Sequence, residues 1–156
     1  MKAFKDDEPD KGEKIRLVSA PLSESAAAES TVRAFLEKRR MMQETLGIQL
    51  LQAVYDFDHA RMDKLLEEGA PVNYQDKETL ATAVHFAAAA GDRVALLRLL
   101  KTNECDLLVK DRRGRLPATL ATIGGADAAA ARLLSHLQRK QAIERGVDFS
   151  FLRYQV

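Results

Sequence analysis

Thr82-Ala83-Val84-His85-Phe86-Ala87-Ala88, followed by Gly91 and then by Leu99-Leu100, is the stretch on which the fold turns. It reads as a short apolar helix stopped by a glycine, a turn, and a second helix ending in a leucine pair. Moving outward in steps of 34 residues, Leu99-Leu100 meets Leu65-Leu66 on one side and Leu133-Leu134 on the other, and Ala87 meets Ala53 and Ala121. Phe57, Gly91 and Gly125 share that step, whereas Asp76 and Asp111 lie 35 apart, so one loop carries an extra residue. A fixed spacing of this kind marks two-helix units that lack a core of their own and bury their apolar faces by stacking. Glycine suits the turns because it adopts the left-handed backbone that stops a helix.

Composition agrees. The 156 residues include 24 Ala and 21 Leu, four Pro and no Trp, and Ala and Leu are the best helix formers, so the expected class is all-α with a thin core of small residues. A formal net charge of +1 excludes bulk polybasic or polyacidic binding. The single cysteine, Cys105, excludes an intramolecular disulfide framework and a multi-cysteine zinc site. The start, Met1-Lys2-Ala3-Phe4-Lys5-Asp6-Asp7-Glu8, lacks the apolar run of a secretory signal, and no stretch approaches the roughly 18 apolar residues that span a bilayer. The expected setting is cytoplasmic, with no membrane partner.

Flanking the repeats, residues 1–30 read as a flexible tail rich in charge and serine, interrupted by Pro9 and Pro21. Residues 31–46 read as a helix capped by Ser30 or Thr31, with Val32, Phe35, Leu36, Met42 and Leu46 at helical spacing and Gly47 ending or weakening it. Exposure of Phe35, Leu36, Met41 and Met42 would leave the protein a monomer or a weak homodimer. Residues 139–156 read as the end of a basic helix and an aromatic tail.

Gly69-Ala70-Pro71-Val72-Asn73-Tyr74-Gln75-Asp76 resembles the G-A-D-V-N-x-x-D of the ankyrin repeat, a unit of about 33 residues. Thr82-Ala83-Val84-His85-Phe86-Ala87-Ala88 resembles that family's T-P-L-H-x-A-A, with Ala83 in place of Pro. Asp111-Arg112-Arg113-Gly114-Arg115-Leu116-Pro117 resembles its D-x-x-G-x-T-P, with Leu116 in place of Thr. The resemblance covers residues 47–138 as three units, 47–75, 76–110 and 111–138, the first lacking the T-P-L-H signature. It implies an ankyrin-like helical solenoid with hairpin loops. His85 would hydrogen-bond across the turn between units, Asp76 and Asp111 would anchor the hairpins, Asn73 would satisfy backbone groups in its own loop, and the leucine pairs would be core.

No catalytic constellation stands out. The chain has no phosphate-cradling glycine loop ending in Lys-Ser/Thr, no H-E-x-x-H and no G-x-S-x-G, and His59, His85 and His136 fall in different units. A Cys105–His85 nucleophile pair competes with a buried structural thiol, and the second reading is preferred. The expectation is therefore no enzyme, no cofactor and no metal.

The resemblance instead implies a partner-facing surface made by hairpin tips and the exposed positions of each first helix. Those helix positions are Tyr55-Asp56, Ala89-Ala90 and Ile123-Gly124; Tyr55, Ala89 and Ile123 form an apolar row that either packs on a terminal segment or binds a protein partner. The tips offer Lys77 and Glu78 in one hairpin and Arg112, Arg113 and Arg115 in the next, either solvated or poised for carboxylates or phosphates. Charge also divides along the chain, with seven basic and eleven acidic residues over 47–111 against eight basic and three acidic over 112–156. Nucleic-acid binding by the basic C-terminal end, through Arg132, Arg139, Lys140 and Arg145, is thus the alternative function to protein binding. Phe149, Phe151 and Tyr154 either serve that end or fold back as a hydrophobic cap.

Overall fold

The computed structural model describes the backbone of residues 2–153, with side chains from residue 24 onward. Among the described residues the chain is all-helical, with six α-helices and no strand: α1 (Lys2–Tyr55), α2 (His59–Glu67), α3 (Ala83–Ala90), α4 (Arg93–Lys101), α5 (Pro117–Gly124) and α6 (Ala128–Arg145), followed by a short 3-10 turn, Phe149–Leu152. It divides into two compact units, Met1–Met42 and Gln43–Val156. The side chains of residues 24–42 in the first unit are all exposed.

In the second unit, α3 packs on α4 and on α5, α5 packs on α6, and α2 packs on α4. One core runs through it. The last turns of α1 contribute Leu50, Ala53 and Val54; α2 contributes Met62 and Leu65; α3 and α4 contribute Val84, Ala87, Leu96 and Leu99; α5 and α6 contribute Ala118, Ala121 and Leu134. Small residues recur where backbones come closest: a Cβ on Gly124 would stand 3.4 Å from the Ala89 carbonyl oxygen. The wholly buried leucines supply the apolar area, each contributing about 1.5–3 kcal/mol.

Backbone features recur at the 34-residue step. Left-handed residues recur at Gly69 and Asn103, at Leu80 and Gly114, and at Phe57, Gly91 and Gly125. Each second helix starts on an aspartate whose carboxylate accepts backbone N–H groups: Asp58 from Arg61, Asp92 from Ala95, and Asp127 from Ala129 and Ala130. The same caps tie neighbouring units together, His59 Nε2 lying 2.7 Å from Asp92 and Arg93 Nε donating to Asp127 at 2.7 Å. The Arg93 guanidinium holds the Asp127 carboxyl well below the usual carboxylate range.

Several boundaries differ from those expected. Residues 24–30 are helical, with no break at 30/31, because Ala26-Ala27-Ala28 favours helix and the Thr31 hydroxyl donates to the Ala27 carbonyl at 3.0 Å instead of capping; residues 1–23 of the expected tail lie outside the described side chains. Gly47 does not end α1. It sits inside the helix because the Tyr74 side chain rests on it, and a Cβ there would stand 2.4 Å from Tyr74 Cγ. α6 runs across 138/139, in keeping with a helix end in residues 139–156, and stops at Gly146, which turns left-handed with φ 65°.

Only one leucine of each pair is fully core. Leu65, Leu99 and Leu134 are buried, Leu66 and Leu100 are half-buried, and Leu133 is exposed. One residue, Ala126, separates Gly125 from the cap Asp127, whereas Gly91 directly precedes Asp92, so the last helix shifts register by one. Asn73 serves the next loop and not its own, its Nδ2 donating to the Glu104 carbonyl and its Oδ1 accepting from Asp106 N–H, both at 2.8 Å. Gln141 of α6 does the same nearby, donating to Cys105 O at 2.8 Å and accepting from Leu107 N–H at 2.9 Å. The aromatic tail does not form a hydrophobic cap. Phe149 and Phe151 stay exposed, with the Lys110 ammonium 3.9 Å above the Phe151 ring, because Leu134, Gln138 and Ala142 of the lengthened α6 already occupy the core face; Tyr154 lies outside the described residues.

The Gly47–Tyr74 contact yields a first prediction. At an open helix position Gly→Ala stabilises by about 1 kcal/mol. Here Gly47→Ala should destabilise by about 1–3 kcal/mol in denaturant titrations. In a Tyr74→Ala background the same change should become neutral or stabilising; an equal loss in both backgrounds would contradict the packing.

Candidate functional site

Two hairpin loops and two helices converge on one open groove of about 490 Å³. Phe86 and Ala89 of α3 and Leu120 of α5 line its apolar part; Glu78 and Thr79 come from the first hairpin, and Arg112, Arg113 and Arg115 from the second.

Each hairpin is held by its leading aspartate. In the first, Asp76 N–H donates to Ala81 O at 2.9 Å and the Asp76 carboxylate accepts the Thr79 backbone N–H and hydroxyl, each at 2.9 Å. Those bonds, the Thr79 N–H foremost, hold the Asp76 carboxyl below its usual value. In the second, Asp111 N–H donates to Arg115 O at 3.0 Å, while its carboxylate accepts the N–H groups of Arg113 and Arg115 and the Arg115 Nε at 2.9–3.0 Å. Burial alone would raise this carboxyl, but the Arg115 hydrogen bonds and charge outweigh it and the shift is downward. Arg112 N–H donates to Thr79 O at 2.8 Å, joining the two hairpins.

His85 sets where the second hairpin lies. Its Nδ1 accepts the Thr82 backbone N–H at 3.1 Å, and an amide nitrogen can only donate, so Nδ1 carries no proton. The proton is therefore on Nε2, which donates to the Arg115 carbonyl at 3.0 Å. The ring is 1% exposed, and burial pushes its pKa down.

Of the expected contact residues, the groove gathers Glu78, Ala89, Arg112, Arg113 and Arg115. Tyr55 and Ile123 are exposed, 69% and 61%, but lie outside its lining, as does exposed Ala90. Asp56 accepts from Gln52 Nε2 one turn back, and Lys77 pairs with Glu44. Arg115 does not point its charge outward: its guanidinium closes on buried Asp111 at 2.9 Å, because that carboxylate needs a counter-charge. Phe86, Leu120, Thr79 and Ala81 also line the groove and were not anticipated. Phe86 precedes Ala89 by three residues and so shares its helix face, which is the signal that would have found it.

Cys105 and His85, the candidate nucleophile pair, both bond to backbone groups. Cys105 is buried, its thiol donates to Leu99 O at 3.0 Å, and burial pushes it up to about 11, so it is not a nucleophile at neutral pH. Both His85 nitrogens are engaged. Among the described residues no group of three His, Cys, Asp or Glu side chains is arranged to hold a metal, and no helix is long and apolar enough to cross a membrane. The sequence matches no model of a known family, and no curated protein matches it.

Because the folded state depresses the His85 pKa below the ordinary 6.5, the unfolded chain takes up the proton first on acidification. The His85 contribution is complete above that value and declines as pH falls below it. His85→Asn should cost about 1–3 kcal/mol at neutral pH and flatten the slope of stability against pH in the mildly acidic range. An unchanged slope in denaturant titrations would contradict the buried neutral ring.

Proposed function

We propose that residues 43–156 are an ankyrin-like stack of three helix pairs acting as a non-catalytic protein-binding module. The recurrence of left-handed turns, aspartate caps and hairpins at matching places supports the repeat reading. The single observation that carries the function is the groove, in which exposed Ala89 and half-buried Phe86, with Leu120 buried behind them, lie beside a loop bearing Arg112 and Arg113. Apolar strips left open to solvent mark interaction sites.

The mechanism is presentation of a prebuilt surface. The Asp111–Arg115 clamp and the His85 bond fix the hairpin before any partner arrives, so little ordering entropy is lost on association. The Arg113 guanidinium has no ion-pair or hydrogen-bond partner among the described residues and is free to meet a carboxylate. Apolar contact at Ala89 and Phe86 supplies area, and the two arginines set orientation and on-rate.

Nucleic-acid binding is the second reading, favoured by Arg132, His136 and Arg139, which line one groove beside α5 with Thr122 and Ser135. Against it, Arg145 is already paired with Asp106 at 2.8 Å.

Affinity capture with mass spectrometry tests the proposal. The full chain should retain specific proteins through nuclease treatment. Ala89→Arg, and separately Arg112→Glu with Arg113→Glu, should lose them at least tenfold, a change of about 1.4 kcal/mol, with the melting temperature unchanged. Capture unaffected by both variants would remove the groove as the contact, and capture abolished by nuclease would favour the basic end.

A further inference from the structure

Residues 24–42 of α1 carry an apolar stripe, Val32, Phe35, Leu36 and Met42, that stays exposed among the described residues. Val32 is 53% exposed, Phe35 63%, Leu36 54% and Met42 57%. Ala28, Val32, Phe35, Arg39 and Met42 follow one another four, three, four and three residues apart, which is the seam spacing of a two-helix coiled coil. Isolated large apolar residues on a surface need no explanation, but a seam spaced this way along about four helical turns does.

We infer that this stripe pairs with the same stripe of a second copy of the chain, and that the two helices run antiparallel. The charges decide both points. Glu24 and Glu29 against Arg33 leave the first half of the segment acidic, while Lys38, Arg39 and Arg40 against Glu37 make the second half basic. A parallel pair sets acid beside acid and base beside base. An antiparallel pair sets the acidic half of each copy along the basic half of the other. Centring the pair between residues 33 and 34 also matches the seam: Val32 faces Phe35, Ser25 faces Met42, and Arg39 faces Ala28. The small Ala28 side chain leaves room for the Arg39 stem, whose guanidinium extends toward water and the neighbouring Glu29. At 1.5 Å per residue the segment is about 28 Å long. That is short of what buries the roughly 1,600 Å² of a standard interface, so the pair is reversible and concentration-dependent.

Sedimentation velocity of the full chain from low to high micromolar concentration is the test, joined to disulfide trapping. The native chain should shift from monomer to dimer across that range, and Val32→Asp with Phe35→Asp should stay monomeric with an unchanged melting profile of the helix-pair body. Ala28→Cys and Arg39→Cys chains, oxidised as a mixture, should give mainly the mixed disulfide; Cys105, being buried, stays out of the reaction. A chain monomeric at every concentration, a dimer indifferent to the two aspartates, or Ala28→Cys linking mainly to itself would each overturn the inference.

Discussion

The buried imidazole of His85 is held from two sides, by the Thr82 backbone N–H at 3.1 Å and by the Arg115 carbonyl at 3.0 Å. A polar ring with 1% exposure must satisfy both nitrogens inside the protein, since an unmet buried group costs about 1–3 kcal/mol. Thr82 starts α3 and Arg115 closes the hairpin before α5, so one neutral side chain ties two successive helix pairs into one register. The Arg115 carbonyl also accepts Asp111 N–H, and the Arg115 guanidinium closes on Asp111. The shape of the groove wall follows from this chain of bonds, and the bond from Arg112 N–H to Thr79 O carries it to the first hairpin.

Packing takes up the constraint where hydrogen bonds stop. Ala87 and Ala88 of α3 and Ala118 and Ala121 of α5 are small enough for the helices to approach closely, while Leu99 and Leu134 fill the space behind them. On the outer side, aspartate caps at 58, 92 and 127 satisfy helix N-termini, and two of them also bond to a side chain of the preceding pair. Loops between pairs are stitched by amide side chains, Asn73 and Gln141, which mimic a peptide group on either side of residues 104–107. Local capping and inter-unit contact are thus often the work of the same residue.

The all-helical class and the turns at Gly91 and Gly125 were legible in the residues, because each depends on local chemistry at a fixed offset, while the anchoring roles of Asp76 and Asp111 and the burial of Cys105 were implied by the family resemblance. What escaped depends on how side chains pack once the chain is folded. Gly47 looked like a helix end or a weak point within the helix until Tyr74 was seen to need its missing Cβ. Leu133 looked equivalent to Leu99, but the extra Ala126 moves that role to Leu134. Arg115 looked like a free charge, and only the fold brings its guanidinium back onto a buried carboxylate four residues earlier. The groove was half legible: its arginines stood out by charge and Ala89 by register, whereas Phe86 and Leu120 were not singled out.

The protonation of one ring tests this most directly. Long-range ¹⁵N correlation spectra of the imidazoles should show His85 as a single tautomer at neutral pH, with Nε2 protonated and Nδ1 bare. That pattern should persist as the pH is lowered through 6.5 for as long as the chain stays folded. A His85 ring that averages between tautomers and titrates at the ordinary value would contradict the bond to Arg115, and with it the registry of α3 against the hairpin before α5.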